Sequence, residues 1–201
     1  MATWLAQQIV RKLLATAIID SGDTELYVYG FFLLISKVLY LCVTLITSTI
    51  LDLPIAGLVF YISFQLLRGY AGGVHAKTEK SCTILTSLAI IGSVVLIKIL
   101  LSWESWIIPA LMLVGASICI FALSPLDTAE KPLNKFEQKQ YGGITRLILC
   151  GCLLGILLAW HLDWEKIAYA ITVSIILESL LLVVGTYQKH SHPQHSNIAV
   201  L

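Results

Sequence analysis

The chain has 201 residues and a mass of 22.1 kDa; 58% of its residues are hydrophobic, 12% are charged and its mean hydropathy is +0.87. A soluble domain of this size carries about 25% charge, so the polar residues here are too few to coat a water-soluble globule, and a disordered chain would need the opposite balance. Thirteen basic against twelve acidic residues leave a net charge of +1, which gives nucleic acid no bulk attraction; the composition reads as one integral membrane domain over residues 1–201.

The first element is amphipathic. Between Trp4 and Ile19, apolar Leu5, Ile9, Leu13 and Ala17 recur at helical spacing among Gln7, Gln8, Arg11 and Lys12. This predicts a helix within residues 1–22 that lies in the membrane interface instead of crossing it, closed by Ser21-Gly22-Asp23. A secretory signal would place a basic region before a continuous apolar stretch and a small-residue cleavage site, so no cleaved signal is expected.

Six apolar runs follow over residues 28–186: Val28 to Leu51, Leu53 to Leu67, Thr83 to Leu101, Trp106 to Ser124, Leu147 to Leu162 and Ile167 to Thr186. A bilayer core about 30 Å thick needs roughly 20 such residues in a helix. Barrel strands would be short and alternating, so the prediction is an all-α protein with six transmembrane helices. Asp52 and Pro54 divide the first two runs with a tight turn. Residues 187–201 form a tail whose Lys189, His190, His192 and His195 read as a solvated terminus more readily than as a metal site.

Orientation follows from the cations. With the N-terminus inside, ten of the thirteen Lys and Arg residues fall in cytoplasmic segments: Arg11, Lys12, Arg68, Lys77, Lys80, Lys131, Lys135, Lys139, Arg146 and Lys189. Lys166 alone falls outside, and Lys37 and Lys98 lie within runs. Both termini are therefore expected in the cytoplasm, with Trp103, Trp106 and Trp164 at the outer boundary. Two sizeable loops then face inward, Arg68 to Cys82 and Pro125 to Arg146, while the outer turns are only a few residues each.

The first loop concentrates the reactive residues. Of the five cysteines, Cys42, Cys119, Cys150 and Cys152 lie in apolar runs, where a thiol is usually a small packed hydrophobe. Cys82 sits at a membrane edge near His75 and among Arg68, Lys77 and Lys80; cations favour a thiolate, and an imidazole can take its proton. On an unbroken helix, seven residues would separate His75 and Cys82 by about 10 Å along the axis. The chain must bend between them, or a helix must begin near Thr78 with His75 folded back, and Gly72-Gly73 supplies that freedom. One Cys and one His fall two ligands short of a zinc site; no metal or cofactor is expected. Taken alone, a Cys and a His this close in sequence are more often coincidence than a dyad.

The stretch Arg68, Gly72-Gly73, His75-Ala76 and Cys82 resembles the signature of the accessory gene regulator B (AgrB) family, membrane peptidases of Gram-positive quorum sensing. Ser124 to Leu133 is similar to that family's second cytoplasmic loop, and the length, the six spans, the cytoplasmic termini and the amphipathic start agree. The resemblance implies a cysteine endopeptidase that removes the acidic C-terminal tail of an AgrD-like propeptide and promotes thiolactone cyclisation. By position it makes Cys82 the nucleophile and His75 its base.

Supporting roles are open between function and structure. Arg68 either binds an acidic tail or anchors the loop. Gly72 and Gly73 shape the turn and offer N–H groups to an oxyanion. Gln65 stands on the same helical face as Arg68 and is a second oxyanion candidate, while Glu79, Asp127 and Glu130 are candidates for a third catalytic group. Lys37 and Glu178, ionisable residues inside spans, would pair across the bundle or mark a substrate path; the latter is the feature behind the competing reading, a non-catalytic small-molecule or peptide transporter. Gly151 and Gly155 form a close-packing motif that serves a homodimer or an intramolecular contact. Cys150 and Cys152, two apart on a helix, face different directions and are not expected to form a disulfide. The expected partners are the propeptide and the lipid bilayer, with a homodimer as a further option and no nucleic acid.

Overall fold

The computed structural model describes residues 2–16, 19–73, 79–103, 105–126 and 134–191. Among them it is all-helical: α1 (Ala2–Ala15), α2 (Thr24–Ile50), α3 (Pro54–Ala71), α4 (Glu79–Leu101), α5 (Ile107–Leu123), α6 (Lys135–His161) and α7 (Glu165–Ser191), with one 3-10 turn at Ser21–Asp23. Four of these, α2, α4, α6 and α7, are long and apolar enough to cross a membrane; α5, with 17 residues, is shorter. α3 is 18 residues long and carries Gln65 and Arg68 in its second half.

Contacts divide the chain into two compact units, Met1–Val43 and Thr44–Leu201. In the first, α1 buries Ala2, Ala6 and Val10. That four-residue spacing makes one stripe, while Trp4, Leu5, Arg11 and Lys12 are exposed. A cleft of about 530 Å³ opens between this helix and the start of α2, lined by Gln7, Arg11, Leu14, Glu25, Tyr29 and Phe32 among others.

The second unit is built around α7. It packs against α3, α4, α5 and α6, and every residue from Ala168 to Ser179 is buried. A helix surrounded on all sides needs no polar face, and the run Ile171 to Leu182 has none. The core joins Ile171, Ile175, Ile176 and Leu182 of α7 to Leu67 and Ala71 of α3, Ile120 of α5 and Leu149 and Ile156 of α6. Polarity is partly inverted relative to a soluble bundle. Thr44, Ser48, Ser63, Thr145, Ser174 and Glu178 are buried, while Ile55, Ile84, Leu88, Leu111, Leu147 and Leu157 are exposed. Apolar surface of this extent is a lipid-facing feature.

Two tight turns share one construction. Asp52 (φ 59°) and Asp163 (φ 57°) adopt the left-handed conformation. The following N–H reaches back to a carbonyl five residues earlier, Leu53 to Ser48 at 2.7 Å and Trp164 to Ala159 at 2.8 Å, as in a Schellman helix end. The tight turn expected at Asp52 and Pro54 is present, with Pro54 opening α3, where its missing N–H costs nothing. Beyond it, α3 lies so close to the end of α2 that a Cβ on Gly57 would fall on the Ser48 side chain. Lys98 of α4 reaches the same corner, its Nζ donating to the Leu51 carbonyl at 3.1 Å.

Several boundaries differ from the apolar runs. α3 continues through Arg68 to Ala71, so the first four residues read as loop are helix. α6 starts at Lys135, twelve residues before its apolar run. Its first turn is polar, and Glu137 accepts a hydrogen bond from the Asn134 N–H at 2.9 Å, a helix-start device that owes nothing to hydrophobicity. α7 continues to Ser191, past the start of the residues read as a tail.

Candidate functional site

The C-terminal end of α3 carries the site's framework. Arg68, half-buried in the last turn, folds its guanidinium over the chain that leaves the helix, and Nη1 donates to the Gly72 carbonyl at 2.8 Å. The helix dipole favours a cation at this end. Gly72 (φ 82°) and Gly73 (φ 137°) occupy backbone conformations that disfavour any side chain. Space forbids one as well: a Cβ on Gly73 would land on the Arg68 guanidinium, and one on Gly72 would come within 2.7 Å of the Leu126 carbonyl oxygen. The two glycines are thus required by an arginine on one side and by the second loop's backbone on the other.

That second contact joins the two loops. The Leu126 N–H donates to the Ala71 carbonyl at 2.8 Å, which gives a partner to a carbonyl left open at the end of α3. Leu126 itself is buried in the core cluster beside Leu67 and Ala71. The ring of Pro125 rests against Gly142 of α6, where a Cβ would meet Pro125 Cδ at 3.2 Å. Tyr70 and Tyr141 meet edge to face, with centroids 5.9 Å apart. The residues at 70–73, 124–126 and 141–142 therefore form one layer, although the sequence separates the first segment from the other two by about fifty to seventy positions.

Glu178 is fully buried at the midpoint of α7, with neither carboxylate oxygen hydrogen-bonded. Lys37, which the sequence suggested as its partner, is exposed on α2 in the other unit.

Cys82 lies in the first turns of α4, half-buried. The remaining thiols sit well inside helices, Cys42 and Cys150 exposed on their outer surfaces and Cys119 and Cys152 half-buried. None of the five forms a disulfide. Among the described residues α4 runs from Glu79, and the expected fold-back of His75 lies outside them. His75 lies outside the described residues, as do Asp127, Glu130, His192 and His195; so do the side chains of Glu79 and His190. Gln65 points back along its own helix, its amide nitrogen donating to the Tyr61 hydroxyl at 3.0 Å and not to the glycine turn. In the Gly151/Gly155 motif, a Cβ on Gly155 would come within 3.3 Å of Ile171 Cδ1 of α7, a close approach within the chain, while one on Gly151 would meet nothing within 4 Å. No group of three metal-ligating side chains occurs among the described residues.

Sequence reasoning missed Leu126, Pro125 and Gly142 as parts of this layer. Their only signals were the Ser-Pro step and the Gly142-Gly143 pair at the start of α6, neither of which names a partner.

The family model for accessory gene regulator B matches residues 3–182. An AgrB-like protein of Clostridium perfringens strain SM101 (type A) is 24% identical over 183 residues, covering 86% of this chain and 85% of its own length. AgrB-like protein 2 of Clostridium perfringens strain 13 (type A) is 25% identical over 141 residues, covering 68% of this chain and 66% of its own length. No solved structure matches the chain. The match runs from α1 into the second half of α7 and contains the whole Arg68-to-Cys82 stretch: with its several apolar helices, the chain is a multi-pass membrane protein belonging to the accessory gene regulator B family.

Proposed function

We propose that the protein is a membrane-embedded cysteine endopeptidase that removes the C-terminal part of an AgrD-like propeptide and promotes thiolactone cyclisation. The observation that carries this reading is the placement of Cys82. It is the one cysteine at a helix start, at the edge of an apolar span, and it follows a glycine turn that an arginine and a neighbouring loop hold in shape. The N–H groups of a first helical turn favour an anion nearby, which suits a thiolate.

In this reading six helices, α2 to α7, cross the membrane, α1 lies in the interface, and both termini and the two loops face the cytoplasm. His75 accepts the Cys82 proton. The thiolate attacks the scissile carbonyl, the C–N bond breaks, and the leaving amine takes the proton from the imidazolium, which leaves an acyl-enzyme thioester. An internal thiol of the propeptide, giving up its own proton, then attacks the thioester carbonyl and expels Cys82. One thioester replaces another, so the exchange is nearly even in energy, and scarce water at a membrane edge keeps hydrolysis from competing. Gly72 and Gly73 offer backbone N–H groups near the developing oxyanion, and Arg68 holds their turn.

The test is cleavage of a propeptide by the full chain in membranes. Cys82→Ala and alkylation of Cys82 are expected to abolish cleavage, while Lys37→Met leaves it unchanged. A Cys82→Ala chain that still cleaves ends the peptidase reading. Activity lost with Lys37→Met and kept after alkylation points instead to the transporter.

A further inference from the structure

We propose that a cavity between the start of α5, the end of α6 and the start of α7 is a binding site for a small quaternary ammonium ion, free in solution or as the headgroup of a lipid. It lies at the opposite end of α5 from Leu126 and the glycine turn. The inference does not rest on the peptidase reading.

The cavity has a volume of about 250 Å³, room for about eight non-hydrogen atoms at the roughly 30 Å³ that one water takes in the liquid. Its floor is Leu113 of α5, Ile156 of α6 and Thr172 of α7. The Thr172 hydroxyl donates to the Ala168 carbonyl at 2.9 Å, so the floor offers a guest no hydrogen-bond donor. Trp106, Trp160 and Tyr169 line it nearer the helix ends. The Trp160 and Tyr169 rings stand 5.6 Å apart at 75° to each other. Two rings at that angle form a corner, and the negative face of an aromatic ring attracts a cation. Trp106 adds a third ring from α5. Tryptophans at a span end are ordinarily belt residues, but Tyr169 is only 6% exposed, so this corner is set into the bundle.

The charge at the mouth has the matching sign. Glu165 opens α7 and is exposed. It precedes Tyr169 by four residues and Thr172 by seven, the spacing that puts all three on one helical stripe. Its carboxylate therefore stands at the open end of the stripe that lines the cavity. Lys166 falls about a quarter turn away from that stripe, at 3.6 residues per turn. A primary ammonium would bring three N–H donors to a floor with one hydroxyl oxygen to accept them, whereas methyl groups on the nitrogen need no acceptor. Ring faces around the charge, a carboxylate at the mouth and an apolar floor together select a methylated ammonium.

The probes are choline and its neutral carbon isostere, in which a tert-butyl group replaces the trimethylammonium, titrated by calorimetry into the full chain in a nonionic detergent. Saturable choline binding is expected, with the isostere at least about ten-fold weaker. Trp160→Leu is expected to weaken choline at least about five-fold, and Trp160→Phe to keep part of the affinity. Glu165→Gln is expected to cost about two- to five-fold and to reduce the salt dependence. Trp103→Leu, outside the cavity lining, leaves binding unchanged. In nanodiscs, replacing part of a phosphatidylglycerol bilayer by phosphatidylcholine separates the two sources: a raised apparent Kd for choline makes a lipid headgroup the occupant, and an unchanged one makes it the soluble ion. The proposal is overturned if choline binding does not saturate, if the isostere binds as tightly as choline, or if a folded Trp160→Leu chain binds choline like the parent. The comparison of choline with its isostere needs no variant, so a Trp160→Leu chain that fails to fold leaves the parent protein to decide. Propeptide cleavage enters none of these readouts, so the peptidase reading stands or falls separately.

Discussion

Gly73→Ala isolates the glycine turn from everything around it. The new methyl group has nowhere to go, because its position is already filled by the Arg68 guanidinium. The guanidinium must swing away and give up the 2.8 Å bond to the Gly72 carbonyl. A hydrogen bond to a charged donor contributes about 1.5–3 kcal/mol. Alanine at φ 137° adds backbone strain of about 1–3 kcal/mol. The turn should lose roughly 2.5–6 kcal/mol of local order on these figures. If only the hydrogen-bond part reaches the transition state, propeptide cleavage slows about ten- to a hundred-fold. Gly69→Ala is the matched control. Gly69 lies one turn earlier on α3, with nothing within 4 Å of its would-be Cβ and no left-handed backbone. Alanine there should stabilise the helix by about 0.5–1 kcal/mol and leave cleavage intact. Cleavage in membranes and thermal unfolding in detergent, run on both variants, decide the matter. If Gly73→Ala melts and cleaves as Gly69→Ala does, the turn is not the constrained element described above.

Two further perturbations address the frame. Gly57→Ala should cost about 1–3 kcal/mol through overpacking, since the methyl group collides with the Ser48 side chain; the double variant Gly57→Ala/Ser48→Gly should recover most of that loss in a thermal melt, and no recovery would mean that the α2–α3 approach is not the cause. Lys98→Met removes the Nζ donor from the Leu51 carbonyl, an exposed bond of about 0.5–1.5 kcal/mol, and should lower the melting midpoint slightly with propeptide cleavage unchanged; a large loss of cleavage would give Lys98 a role beyond tying that corner.

The helices were readable in the sequence because unbroken apolar runs at membrane length have few alternatives. Turns at Asp52 and Pro54 were readable for a local reason, the tolerance of Asp for the left-handed conformation and of Pro for a first helical turn. Boundaries were missed where a helix outruns its apolar segment. Arg68 looked like the start of a loop because it is charged, yet a helix C-terminus is a favourable place for a cation, and α3 goes on past it. The start of α6 was hidden because its polar first turn is specified by Asn134 and Glu137, which hydropathy does not register. At the candidate site, Arg68, Gly72, Gly73 and Cys82 were found by type and spacing. The full burial of Glu178 was not, since it depends on how α3, α4, α5 and α6 pack around α7. The same holds for Leu126, whose N–H finds Ala71 by tertiary proximity.

The contacts at the helix ends also bear on α3 and α5, the two helices that length alone leaves doubtful as spans. At one end, Leu126 just after α5 bonds Ala71 at the end of α3, and Tyr141 near the start of α6 meets Tyr70. At the other, Lys98 near the end of α4 reaches the Leu51 carbonyl just before α3. A small cavity there is lined by Trp106 and Pro109 from the start of α5, by Trp160 from the end of α6 and by Tyr169 from the start of α7. These pairings are satisfied together only if α3, α4, α5, α6 and α7 alternate in direction within the second unit. At 1.5 Å per residue, α3 covers about 27 Å and α5 about 25 Å, close to the roughly 30 Å of a bilayer core. The Gly72-Gly73 turn follows α3 and Ser124 to Leu126 follow α5. Those segments are the two that meet in the candidate site, so the ends of both short helices are fixed by the contact that also requires the glycine turn.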